Sequence, residues 1–200
     1  PNSEVFMKIR HVLFAILIAL FARGAATAES PAGMVLYFES GGEVYLLLAE
    51  HAGSQRGWAA FGGGDREGET MLQTAAHKTH EETRGYFART DLEAKAKGQK
   101  PLMDGSYATY FAQVDFVPAQ RVMNNPVPEE SDAFDERSTF AWIPYSAVAG
   151  YLNDDIERGK KYPINPALLP AGSETGWFWP IWLNNMRKGV VEGSLPWLKK

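Results

Sequence analysis

Two adjacent glutamates, Glu81 and Glu82, close a stretch that opens on three glycines, Gly62 to Gly64. Carboxylates are hard oxygen ligands suited to Mg²⁺ or Mn²⁺. Glycines let a backbone approach a ligand closely, and the N-terminus of a helix favours anions. Together these groups can hold a divalent ion against a diphosphate, where the ion polarises phosphorus and activates a water. His77, Lys78 and His80 lie between them. Lys78 is a candidate phosphate partner. The two histidines are candidate proton-transfer groups, since imidazole titrates near ~6.5.

Such residues act only if regular elements aim them. The helix that carries them should start near Gly68-Glu69-Thr70. Its apolar positions Leu72, Ala75, Ala76, Thr79 and Thr83 repeat with helical spacing and make one buried stripe. Gly85 is the natural stop. Upstream, Gly33 to Glu50 reads as two strands around Ser40-Gly41-Gly42, and Gly57 to Phe61 as a short apolar entry to the glycines. Downstream, Asp91 to Lys100 reads as a short exposed helix and turn. Ser106 to Val117 and Ser138 to Pro144 read as strands, with a helix following through Ala147 to Leu152. The Pro- and acid-rich stretch Asn124 to Arg137 reads as a loop. This order fits an α+β fold, an α-β-α sandwich around a mixed sheet. The aromatic tail Trp177-Phe178-Trp179-Pro180-Ile181-Trp182 reads as packing, as do Trp58, Tyr107 and Tyr110.

The stretch from Phe61 to Gly85, FGGGDREGETMLQTAAHKTHEETRG, resembles the signature box of the Nudix hydrolases, G-x5-E-x7-R-E-U-x-E-E-x-G-U, where U is bulky and apolar. Gly63 and Glu69 fall at the G-x5-E spacing, and Glu81 and Glu82 on the E-E pair. The resemblance extends over Gly33 to Ala147. It implies metal-dependent attack of water on a diphosphate that links a nucleoside to another group. Glu81, Glu82 and a late loop Glu, here Glu136, would hold Mg²⁺ or Mn²⁺, with the Gly62 carbonyl as a further ligand. Glu69 would brace the glycine loop. Glu129 and Glu130 are alternative bases in the acidic loop.

Three departures qualify the resemblance. The Arg-Glu of the pattern is His77-Lys78. The apolar residue after it is Thr79. The closing Gly falls on Arg84, with Gly85 one residue late, as though a residue were inserted. Lys78 is the serious one, because many family members use a Glu there as metal ligand or general base. Its ammonium competes with a cation for Glu81 and Glu82, so fewer ions should bind. Loss of a general base typically costs ~10²- to 10⁴-fold in rate. The alternative to a hydrolase is a weak or inactive protein of this fold that binds a phosphate-bearing ligand. His77 should take over the orienting role of the Arg.

The 200 residues suggest one domain, residues 29–200. PNSEVF ahead of Met7 reads as a non-native remnant. Met7 to Ala28 then reads as a signal peptide, with a basic start, an apolar core from Val12 to Ala22 and an Ala-Thr-Ala site cleaved after Ala28. That points to a periplasmic or secreted protein with no stable membrane span after cleavage. The absence of cysteine fits export and leaves the fold resting on its core. A formal net charge of −4 with no basic stripe argues against nucleic acid as a partner. The expected partner is a small nucleotide-type molecule, such as a nucleotide sugar, ADP-ribose or a dinucleotide. A homodimer is compatible with the family.

Overall fold

In the computed structural model, residues 30–127 and 131–198 are described. The signal-peptide stretch and the candidate bases Glu129 and Glu130 fall outside them.

The first strands, β1 (Ala32–Ser40) and β2 (Glu43–His51), pair antiparallel in the register Leu36↔Leu47. Their turn is Gly41-Gly42, both at positive φ, as a tight hairpin demands. Short strands β3 (Trp58–Ala59) and β4 (Phe61–Gly63) follow, then helices α1 (Met71–Glu82) and α2 (Arg89–Ala96). Next come β5 (Leu102–Asp104), β6 (Tyr107–Gln113), α3 (Ala119–Met123) and β7 (Arg137–Pro144). The chain ends with α4 (Tyr145–Ala149), β8 (Tyr162–Pro163), β9 (Trp177–Phe178) and α5 (Pro180–Val191).

The sheet runs β5-β6-β1-β2-β3-β9-β8, with β4 added to β1 and β7 to β2. It is mixed, because β1 and β6 are parallel while most other pairs are antiparallel. Alternation along β1 divides the interior in two. Met34 and Leu36 face α1 and α2 with Phe61, Ala75, Ala76, Leu92 and Phe140. Val35 and Tyr37 face the other way, toward Trp58, Phe178, Leu183, Met186 and Trp197. The result is the expected α-β-α sandwich.

Helix α1 begins one turn-residue later than expected, because Thr70 caps it. The Thr70 hydroxyl accepts from the Gln73 amide, and the Gln73 side chain accepts from Thr70, a capping box. The T-x-x-Q spelling carried this signal. Thr79 and Thr83 are tolerated in the buried stripe because each hydroxyl donates to the carbonyl four residues back, at 2.7 and 2.6 Å. The helix expected over Ala147 to Leu152 instead starts directly after Pro144 and stops at Gly150. The tail holds a full helix, α5, where only packing aromatics were read. Pro180 at its first position is a helix-start residue. Among the described residues no helix is long and apolar enough to cross a membrane.

One buried carboxylate staples the tail to the sheet. Glu50 in β2 is fully buried. Its oxygens accept from the Thr139 hydroxyl at 2.8 Å, from the Glu174 amide at 3.0 Å and from the Thr175 amide. Trp58 Nε1 donates to the Thr175 carbonyl at 3.0 Å. Truncating one partner of such a set strands the others without water. Glu50→Ala is therefore expected to cost on the order of 3 kcal/mol in urea unfolding. Thr139→Val, which removes one bond of the set, should cost about 1 kcal/mol. Equal losses would contradict the staple.

Candidate functional site

The cavity beside the glycine segment has a volume of about 500 Å³, the size of a small-molecule site. Gly62 to Gly64 form one wall, and Lys78, Glu82, Glu136, Arg137 and Arg56 supply its charges, with Asp104 at the far side. Gly62 has φ 151°, and a Cβ there would collide with the Tyr107 hydroxyl, so only glycine fits. Burial pushes the Tyr107 phenol well up, and the Glu82 charge adds to it, so it stays protonated.

Glu82 is almost fully buried at the C-terminal end of α1. Its Oε2 accepts from the Gly62 amide at 2.9 Å and from Arg137 Nη2 at 2.9 Å. Burial raises its pKa, and Arg137 and the Gly62 amide offset only part of that. Arg137 is itself a hub. Its Nη2 also donates to the Ala60 carbonyl at 2.9 Å, its Nη1 meets His51 Nδ1 at 2.9 Å, and its guanidinium lies 5.9 Å from the Phe61 ring centre. The sequence reading missed Arg137 and His51. Both stand at strand ends with no local pattern to mark them.

Glu81 is surrounded by basic side chains. Arg66 hydrogen-bonds its Oε1, Lys78 Nζ lies 3.2 Å from Oε2, and His77 Nε2 lies 3.6 Å from Oε1. His77 also meets Glu69 at 2.8 Å, so it stands between the two glutamates. Arg89 holds the same Glu69 oxygen at 2.9 Å. Burial pushes the Glu69 carboxyl up, but His77, Arg89 and Arg66 outweigh it and hold it low. His80 points elsewhere, toward the Phe87 carbonyl at 2.8 Å, and neither histidine lines the cavity.

The closing turn of the box falls on Arg84 and Gly85. Arg84 itself takes the left-handed conformation, φ 55°, followed by Gly85 at 71°. That conformation disfavours a side chain, and tethers hold it. Arg84 Nη1 binds Asp135 at 2.6 Å, and Asn125 Nδ2 donates to the Arg84 carbonyl at 2.7 Å. The two contacts pin both ends of the acidic loop to α1. They place Glu136 exposed on the cavity rim.

These donors suit a multi-ion centre poorly. Among the described residues no group of three His, Asp or Glu side chains is arranged to hold a metal. Glu82 is committed to Arg137. Glu81 is screened from the cavity by Lys78, whose side-chain carbons would lie 3.2 Å from a Cβ on Gly63. The carboxylates expected to gather around an ion are thus paired with the protein's own cations, and Glu136 alone stays open.

A family model described as the NUDIX domain matches residues 29–165. No curated protein matches. Three solved structures are among those that are similar. An Ap4A hydrolase from C. elegans, in a binary complex, shares 16% identity at TM-score 0.39, over 63% of this chain and 85% of its own. A MutT/nudix family protein from Enterococcus faecalis shares 14% at TM-score 0.42, over 94% and 74%. The NUDIX domain of Shewanella oneidensis NrtR, with ADP ribose, shares 17% at TM-score 0.38, over 68% and 86%.

Burial lowers the His51 pKa to about 3, with the Arg137 charge adding to the effect. An unfolded imidazole takes its proton near ~6.5. Between those values the unfolded chain binds more protons, so stability falls as pH drops through the window, by up to about 1.4 kcal/mol per pH unit. His51→Gln should flatten this acid limb in unfolding measured from pH 7 to 4. An unchanged slope would mean that His51 is protonated in the fold.

Proposed function

The chain belongs to the NUDIX domain family, pyrophosphohydrolase-type proteins that in general act on nucleoside diphosphate derivatives with divalent metals such as Mg²⁺ or Mn²⁺, and on that footing we propose that it binds a nucleoside diphosphate linked to a second group, using its own cations, and hydrolyses it slowly. One observation carries this reading. At the glycine wall the cavity presents the Lys78 ammonium, while Glu81 lies behind it. Arg66 and Lys78 together set two full positive charges against the single Glu81 carboxylate. Lys78, the open Arg56 and the backbone of Gly63 and Gly64 suit a phosphate on this side of a cavity whose other lining charges include Glu136 and Asp104.

A second reading, a metal-dependent hydrolase working with one ion, is favoured by two features. Glu81 Oε2 is buried with the Lys78 ammonium at 3.2 Å and no hydrogen bond of good geometry, and Glu136 stands exposed on the rim. Glu81, Glu136 and the Gly62 carbonyl would hold the ion once Lys78 swung away. Export belongs to the proposal on sequence grounds. It favours scavenged nucleotide sugars or ADP-ribose-like molecules over nucleoside triphosphates, and a mature N-terminus at Glu29 would be found by mass spectrometry of periplasmic protein.

Binding and phosphate release with ADP-ribose and a nucleotide sugar separate the readings. Lys78→Met is expected to weaken binding by roughly tenfold or more, the scale of one lost charge-assisted bond. Lys78→Glu should weaken binding further and raise metal-dependent turnover. Undiminished binding by Lys78→Met, with wild-type turnover lost in Glu81→Gln, would instead establish the one-ion hydrolase.

A further inference from the structure

One wall of the cavity comes from α5 and the residue before it, beyond the stretch that the family model matches. Trp182 and Asn185 stand three residues apart on one face of that helix and both line the cavity. Each is more than nine-tenths buried, and each carries a polar atom without a partner among the described residues, Trp182 Nε1 and Asn185 Oδ1. A stranded buried donor or acceptor costs ~1–3 kcal/mol, so a matched pair of them calls for a ligand. Asn185 is already oriented, because its Nδ2 donates to Thr109 Oγ1 at 3.2 Å and leaves the carbonyl oxygen unused. The Trp182 ring is set by Phe178, 5.9 Å away. Trp179, with Arg56 5.7 Å from its ring centre, and Val35 complete a flat, mostly apolar wall.

We infer that this wall is a nucleobase subsite, with Trp182 Nε1–H donating to a base acceptor and Asn185 Oδ1 accepting from the adjacent N–H. Resting on the function proposed above, it puts the base of the ligand against α5 and its diphosphate against Gly62 to Gly64. Both residues line the cavity while their unpartnered polar atoms are buried in its wall, so a base reaches them only as Asn185 and Trp182 adjust to it. A base offers a planar face with a neighbouring donor and acceptor. A sugar asks for more polar partners than this wall holds.

The test is calorimetry of the full chain with three probes, ADP, adenosine and inorganic pyrophosphate, against Trp182→Phe and Asn185→Leu. Trp182→Phe keeps an aromatic face and removes the pyrrole ring together with its donor. Each variant should lose roughly five- to tenfold in affinity for adenosine and ADP, the worth of one neutral hydrogen bond, and none for pyrophosphate. Purine riboside, which lacks the exocyclic amine, should not sense Asn185→Leu. Unchanged adenosine affinity in both variants, equal losses for pyrophosphate and ADP, no adenosine binding by the wild type, or ribose binding with the same sensitivity would each overturn the subsite. If pyrophosphate fails to bind while adenosine binds and responds to Trp182→Phe, the subsite stands and the diphosphate reading falls.

Discussion

The buried pair of Arg137 and Glu82 is the constraint on which the rest of the site depends. It joins the end of α1 to the start of β7, and through Ala60 and Gly62 it fixes the glycine segment between them. Removing one member of such a pair leaves an uncompensated buried charge and costs on the order of 3–5 kcal/mol. The same pairing consumes a carboxylate that the family pattern reserves for metal. Any divalent ion drawn to Glu82 must compete with a guanidinium held also by the Ala60 carbonyl, His51 and the Phe61 ring.

The departures from the family pattern are then consistent with one another. His77 takes the orienting place between Glu69 and Glu81. Lys78 and Arg66 neutralise Glu81 from two sides, so the carboxylate that the pattern would offer to a metal is already paired. On the proposed reading a phosphate meets the Lys78 ammonium, which also opposes a cation beside Glu81 by Coulomb repulsion. The α5 wall supplies what charge alone does not, a place that can tell one nucleotide from another.

Much of this was legible in the sequence. The first hairpin, α1 and β7 announce themselves by periodicity and glycine punctuation, and Glu69, Glu81 and Glu82 by spacing. The rest depended on contacts far apart in the chain. Arg137 reaches Glu82 across 55 positions and Glu50 reaches Thr175 across 125, and neither leaves a local pattern. Arg84 spells a helix continuation. Only its tethers to Asn125 and Asp135 reveal the left-handed turn. Helix α5 was hidden because its aromatic, Asn-rich opening lacks a clean polar face, and the two orphaned atoms on it follow from packing alone.

The most direct measurement is the titration of Mn²⁺ into the wild-type protein without ligand, followed by electron paramagnetic resonance. Built-in cations imply no saturable site into the millimolar range, and ADP-ribose affinity that is the same with chelator as with metal. One or more tight Mn²⁺ sites, with ligand binding that vanishes in chelator, would contradict the account and return Glu81 and Glu82 to metal ligands.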